Sequence, residues 1–353
     1  MKQLICIIAC TLLSVLHTQA QMAYYSSAFG KNGNDLKTEL HQIIKNHTTQ
    51  VWPLWSLFSS TDNKGNNIVW DIYSDNPGGV APYTFQLGSN QCGSYTQEGD
   101  CYNHEHTWPS TYFNDGMPMR TDLHHVLPTD GFVNNKRSNF PYGIVNGAIS
   151  WTAMNGGKLG KSNNYPGYTL NVFEPIDAYK GDIARIYFYM STRYQGEDTG
   201  WKDWEMANGA QLTQAAITLL LQWHHDDPVS QKEIDRNNAV ANIQNNRNPF
   251  VDYPMFADCV WGNGDCTSLS THDIQMEQFI SIYPNPSSQY ISILYHAQNI
   301  ECHSIQILDI KGVPVYQSNS SADKIDISHF APGLYIISFH TNKGIYHRKM
   351  SKN

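Results

Sequence analysis

The stretch CYNHEHTWPSTYF, Cys101–Phe113, sets His104, Glu105 and His106 side by side, ahead of Trp108-Pro109. A zinc protease places two histidines at i and i+4 of a helix with a glutamate between them. Here the histidines stand at i and i+2, and Pro109 stops a helix from running on. On a strand, side chains alternate, so Glu105 faces one way while His104 and His106 share the other. The segment DLHHVLPTDGFVNNKRSNFPYG (Asp122–Gly143) then offers a short apolar strand at Leu123, Val126 and Leu127, with Pro128-Thr129 as stop and N-cap. A helix is expected over Asp130–Asn139, carrying Asn134, Asn135, Arg137 and Asn139. The expected unit is strand, loop, strand, helix, with His106 closing the first strand.

Outward from this unit, 353 residues with 41% hydrophobic and 12% aromatic content suffice for a large core plus a smaller domain. Residues 1–20, MKQLICIIACTLLSVLHTQA, pair Lys2 with an apolar run and place Thr18 and Ala20 at the −3 and −1 positions of a cleavage site, as in a secretory signal peptide. That run is shorter than the roughly 20 residues that span a bilayer, and no later segment is longer, so no membrane span is expected. In an exported chain the two short-range cysteine pairs read as disulfides, Cys92 with Cys101 and Cys259 with Cys266, leaving Cys302 over.

Residues 21–260 read as one α+β unit. Helical patterns lie in DLKTELHQIIKNHTTQVW, GDIARIYFYMSTRY, NGAQLTQAAITLLLQWHHDD and SQKEIDRNNAVANIQNNRNPF. Residues 261–277 are low in apolar content and read as a linker. From 278 to 353 short alternating runs are divided by Gly, Pro, Asn and Asp, the texture of a small β-sandwich. Residues 278–353 carry six Lys/Arg and four Asp/Glu, +2, which leaves −10 on residues 1–277 of a chain whose net charge is −8. A phosphate binder working by its bulk field is thereby disfavoured. A local cation or a bound metal ion would have to offset the acidic field.

Two resemblances sharpen this reading. YPNPSSQYISI, VYQS and DISHFAPGLYIISF resemble the C-terminal sorting domain of type IX secretion substrates, which implies export through the periplasm and across an outer membrane, with the secretion machinery as a partner. NHEHTWP, DLHHVLPTDGFVNNKRSN, VFEPIDAYKGDIARIYFYMSTRY and NNRNPFVDYP, in that order, resemble the endonuclease I family of secreted or periplasmic nucleases, and the strand–strand–helix unit resembles the His-Me finger (ββα-metal) core. The fold implied is a His-Me finger core with surrounding helices, followed by the all-β tail.

Carried over by position, this second resemblance makes His106 the general base, Glu105 and Asn134 the protein ligands of a metal ion, and Arg137 a candidate phosphate contact. Family members also place a phosphate-binding Arg between the first two motifs. Arg120 is the only one there in this chain, and its closeness to Asp122 argues against that part. Arg247 and Asn248 either meet phosphate or belong to a buried network. Asp122 and His124 are read as holding the finger, and Glu174, Asp177, Lys180 and Asp182 as an ion-paired helix start. WHHDDP (Trp223–Pro228) is read as a turn, with His224 and Asp226 the next metal candidates.

A neutral imidazole suits a base near pH 7. One carboxylate and one amide oxygen leave room for water on a divalent ion, and hard oxygen ligands favour Mg²⁺, with Mn²⁺ or Ca²⁺ as substitutes. The expected protein is a monomeric secreted endonuclease cutting DNA, and RNA as well, to 5′-phosphate ends. Two alternatives stand beside it: a phosphodiesterase for small extracellular nucleotides, and a surface adhesin that keeps the fold without turnover.

Overall fold

In the computed structural model the hairpin forms as the alternation requires. Helix α1 (Gly33–Ile44) precedes it. Strand β1 (Tyr102–His106) pairs antiparallel with β2 (Val126–Asp130), setting Glu105 opposite Leu127 and His106 opposite Val126. Helix α2 (Gly131–Arg137) follows directly. Residues 23–163, 170–264, 266, 280–295, 301–342 and 344–353 are described. The expected signal peptide and most of the linker lie outside them.

Three details differ from expectation. Pro128 and Thr129 belong to β2 rather than stopping it, because a two-stranded ribbon has positions where a proline nitrogen needs no ladder partner. The cap of α2 is Asp130, whose carboxylate accepts from Val133 N at 2.8 Å. The helix ends at Arg137, short of Asn139, because Ser138 turns to φ +50°.

The hairpin is fixed by a cluster in which Tyr102, Leu123 and Val126 bury with Leu54, Phe58, Val69, Phe85 and Val240. Beside it, β3 (Ile149–Thr152), β4 (Lys158–Ser162) and β5 (Leu170–Glu174) form an antiparallel sheet in that order. Helix α3 (Lys180–Arg193) packs against α1 and α4 (Gln214–Asp226). The sequence suggests an apolar stripe, yet every residue of α3 from Gly181 to Arg193 is buried. Its polar side chains therefore need internal partners. Asp182 pairs with Lys232 at 2.6 Å and Arg185 with Glu233 at 2.9 Å, both partners being on α5 (Gln231–Gln244). Helix α5 starts in a capping box built by Ser230 and Glu233.

Both expected disulfides form, Cys92–Cys101 and Cys259–Cys266, each with Cα atoms 5.7 Å apart, and Cys302 is free. The first ties down the chain entering β1. The chain divides into residues 31–266 and a second unit that holds 267–353 together with 1–30. In the latter, strands β6 (Ile280–Tyr283), β7 (Tyr290–Tyr295), β8 (Cys302–Asp309), β9 (Pro314–Ser318), β10 (Lys324–Asp326), β11 (Gly333–Thr341) and β12 (Gly344–Lys352) form two sheets, ordered β9-β8-β11-β12 and β10-β7-β6. They enclose Ile280, Ile291, Ile305, Ile307, Ile337 and Phe339, so the alternating runs of the tail are those of a sandwich. No helix among the described residues is long and apolar enough to cross a membrane.

Candidate active site

Strand alternation separates the three residues of HEH. Glu105 turns inward and is 1% exposed. Its Oε1 accepts from Tyr73 Oη (3.0 Å), Tyr142 Oη (3.2 Å) and Arg137 Nη1 (3.0 Å), while Oε2 accepts from none of the described residues. Burial pushes this carboxyl up, against the pull of the Arg137 charge and the two phenols. Asn134, on α2, donates through Nδ2 to Asn103 Oδ1 (2.7 Å) and to the His104 carbonyl (3.1 Å). Both of its N–H groups are thereby used, and Oδ1 is left without a donor among the described residues. The helix thus docks one amide oxygen beside the strand that carries Glu105.

A divalent metal can be tested against these groups. Two hard oxygens, Glu105 Oε2 and Asn134 Oδ1, are left over on adjoining elements, a donor set that suits Mg²⁺ and not a thiophilic ion. Among the described residues no group of three or more His, Cys, Asp or Glu could hold a metal. A site of one carboxylate and one amide is of another kind, completed by water.

His106 lies on the other face. Its Nε2 stands 3.0 Å from the carbonyl of Arg120. A carbonyl only accepts, so Nε2 carries the proton and Nδ1 keeps the lone pair. Burial, with His125 nearby, pulls its pKa down to about 3, so the ring is neutral at physiological pH. Trp52 stacks at 5.9 Å and 19°, and Phe113 and His125 lie 6.0 and 5.4 Å away. His104, on the same face as expected, accepts from Leu54 N (3.2 Å) and packs among Trp52, Trp55 and Phe58. Its ring nitrogen is spent on backbone, which makes it a packing residue.

One expectation is corrected, and one open pair is decided. Arg137 does not face solvent as a phosphate contact: it is 1% exposed and donates to Glu105, the His106 carbonyl (3.0 Å) and the Thr107 carbonyl (2.5 Å), over the Tyr142 ring. Its charge neutralises the buried carboxylate. Arg247 is likewise spent, held by Asp252 through two bonds of 2.6 and 2.7 Å and by Asn238 (2.8 Å). Asn248 caps the next turn at Phe250 N (3.0 Å) and donates to the Arg185 carbonyl (3.0 Å). Of the two readings left open for this pair, the buried network is the one observed.

Asp122 accepts from Tyr189 Oη, Tyr194 Oη and Gln244 Nε2, each at 2.8 Å, and His124 Nε2 meets the Asn246 carbonyl at 3.2 Å. Both brace the loop that feeds β2. Lys180 bridges Glu174 (2.7 Å) and Asp177 (2.6 Å), the ion-paired helix start. In WHHDDP, His224 is buried against Arg185 and Asp226 is exposed, so the two do not converge. Asp227 holds Gly181 N at 2.9 Å, and a Cβ at Gly181 would come within 2.0 Å of the Asp227 carbonyl, so this turn needs a glycine to pack on.

Sequence reasoning missed Trp52 and Tyr73, which reach the hairpin from far along the chain, and Tyr142, which follows the helix closely; none carries a local signal of its role. Arg120, set aside for its closeness to Asp122, lies against the site: its carbonyl binds His106, and its guanidinium sits 4.8 Å over the Trp52 ring. The other five arginines of residues 31–266, at 137, 185, 193, 236 and 247, are each in an ion pair. Arg120 has no carboxylate partner among the described residues.

Comparison with known proteins identifies the family. The family model described as Endonuclease I matches residues 32–255, and that described as Secretion system C-terminal sorting domain matches residues 281–353. An extracellular ribonuclease of Bacillus amyloliquefaciens is 35% identical over 249 residues, covering 67% of this chain and 78% of that protein. The extracellular ribonuclease of Bacillus subtilis (strain 168) is 35% identical over 247 residues, with the same coverage of 67% and 78%. An extracellular deoxyribonuclease of Aeromonas hydrophila is 28% identical over 135 residues, covering 38% of this chain and 50% of that protein. Extracellular relatives and the sorting domain together point to export, to the cell surface or beyond. The chain belongs to the Endonuclease I family and carries a type IX secretion sorting domain at its C-terminal end.

Proposed function

We propose that this secreted nuclease is a divalent-metal-dependent endonuclease that hydrolyses phosphodiesters of DNA and RNA alike, with His106 as general base. The observation that carries this reading is the His106–Arg120 carbonyl bond, which fixes the tautomer with the lone pair on Nδ1. Nδ1 takes the proton of the attacking water while phosphorus gains its new bond and the 3′ oxygen departs, leaving a 5′-phosphate and a 3′-hydroxyl. Glu105 Oε2 and Asn134 Oδ1 would hold Mg²⁺, with Mn²⁺ or Ca²⁺ as substitutes. Such a cation would supply positive charge that offsets the negative charge building on the phosphate in the transition state. Arg137 keeps Glu105 ionised in its buried place, and Arg120 replaces Arg137 as the phosphate contact.

The relatives' names divide between ribonuclease and deoxyribonuclease, which supports a substrate range that ignores the sugar. Both polymers share the diester that His106 and Arg120 would address. The presence of Glu105, His106 and Asn134 together speaks against an adhesin without turnover.

A zymogram with DNA and with RNA, run with and without chelator and beside His106→Ala, tests the reading. Clearing of both polymers that chelator abolishes and the variant lacks is expected. Clearing that persists in chelator would overturn the metal. Cleavage of a dinucleotide diester but not of plasmid DNA would point to a small-nucleotide phosphodiesterase instead.

A further inference from the structure

Trp52 has no place in the chemistry described above, yet it touches both histidines of the strand and Arg120. Its ring lies 4.3 Å from His104, and 5.9 Å from His106 at an interplanar angle of 19°. The Arg120 guanidinium sits 4.8 Å from the ring centroid. The residue is 37% exposed, so it is not consumed by the core.

Two independent contacts thus tie Arg120 to the imidazole. One is direct, through the Arg120 carbonyl on His106 Nε2 at 3.0 Å. The other runs from guanidinium to indole to imidazole. The first fixes only the backbone of Arg120. An arginine side chain has several free rotors and loses much freedom when it is held in one pose. With no carboxylate partner among the described residues, the contact that holds this guanidinium is the indole face.

We propose that Trp52 is a positioning residue, whose ring holds the Arg120 guanidinium beside His106 so that it meets the scissile phosphate. The inference rests on the reading of His106 as base and Arg120 as phosphate contact, and deepens it by naming what places the arginine. A cation–π contact suits such a role because it directs the cation without neutralising it, whereas a carboxylate would compete with phosphate. The five ion-paired arginines are the contrast. A cation–π contact corresponds to a factor of about 2 to 30 in an equilibrium constant, which sets the size of the effect.

The test is a double-mutant cycle on kcat/KM for plasmid DNA in Mg²⁺, using the full chain and the variants Trp52→Ala, Arg120→Ala and both together, with thermal unfolding measured for each. Trp52→Ala is expected to lower kcat/KM by about tenfold, Arg120→Ala by more, and the double variant no further than Arg120→Ala alone. Losses that multiply in the double variant, or a single variant with full activity, would overturn the proposal. A second pair guards against misfolding: Trp52→Phe keeps a π face and is expected within about threefold of the parent, while Trp52→Leu, which lacks one, falls to the level of Trp52→Ala. Equal activity of the Phe and Leu variants overturns it too. His106→Ala is assayed alongside: an active His106→Ala defeats the underlying reading, whereas a dead one with a multiplicative cycle defeats only the role of Trp52.

Discussion

Arg137 donates to Glu105 across 3.0 Å with both side chains 1% exposed, a buried ion pair directly beneath the proposed metal site. Burying one of these charges alone costs several kcal/mol, and Tyr73, Tyr142 and two backbone carbonyls offset part of it by bonding to the pair, while Arg137 Nε has no partner among the described residues. All three bonds to Glu105 fall on one oxygen. The other oxygen is what remains for a cation.

From this follows an expectation for Arg137→Ala. The variant leaves an uncompensated buried carboxylate and takes a donor from the His106 and Thr107 carbonyls, the latter still bonded by Tyr187 Oη at 2.8 Å, so unfolding free energy should fall by about 3–5 kcal/mol. Arg137→Lys should recover little, because one ammonium cannot span Glu105, His106 O and Thr107 O as the guanidinium fork does. Chemical denaturation measures both. An Arg137→Ala protein of parental stability but weakened DNA binding would return this arginine to the substrate.

His106→Ala should lower turnover by roughly 10² to 10⁴ while leaving metal affinity nearly unchanged, since the ring lies on the opposite strand face from Glu105. Single-turnover cleavage and a separate metal titration read the two quantities. A variant with more than about half the parental rate would remove His106 from the mechanism.

How far the sequence carries is visible in these residues. Alternation along YNHEH puts Glu105 on one side and both histidines on the other, and one helical segment brings Asn134 back to the strand, because these relations are local. The fate of Arg137 is not local. It depends on Tyr73 and Tyr187, which arrive from distant segments, and on Tyr142 just past the helix, and without them an arginine in the last turn of a short helix reads as solvent-facing. Arg247 differs, because its partner Asp252 is near in sequence, which is why both readings of this arginine stood open. The tail was legible throughout, since period two with turn residues between the runs leaves a sandwich little alternative.

Glu105→Gln and Asn134→Ala should each raise the Mg²⁺ concentration needed for half-maximal activity, as each blunts or deletes one of two protein oxygens for the ion. Millimolar Mn²⁺, which binds nitrogen and oxygen sites more tightly than Mg²⁺, should rescue both in part. Isothermal titration of the parent and both variants gives the comparison. Indistinguishable titrations would move the metal elsewhere on the chain.

Asp122 makes a pH prediction. Burial alone would raise its pKa, but His47, His124 and His125 around it and the bond from Gln244 reverse this and hold the carboxyl below its ordinary 3.8. A folded-state pKa below the unfolded one contributes stability that is complete above the unfolded value and is lost as pH falls through the folded one. Asp122→Asn should therefore be less stable than the parent at pH 7, by about 3 kcal/mol of unfolding free energy, and the gap should narrow as pH drops below about 4. A gap that is constant from pH 7 to pH 3 would show that the charge on Asp122 contributes nothing.

Charge placement makes the last prediction. With −10 on residues 1–277 and the five arginines of residues 31–266 other than Arg120 each in an ion pair, little affinity can come from the overall field or from those arginines. The slope of log K against log salt for duplex DNA is about −0.9 per phosphate neutralised, so a shallow dependence of three or fewer contacts' worth is expected. Arg120→Ala should flatten it by about one unit and weaken all sequences alike, because a phosphate contact reads no base. Binding is measured to the His106→Ala protein in Ca²⁺ over a salt series, and Arg137→Ala should leave the slope unchanged. A slope typical of six or more contacts would mean that lysines on separate loops gather into a basic groove despite the acidic total.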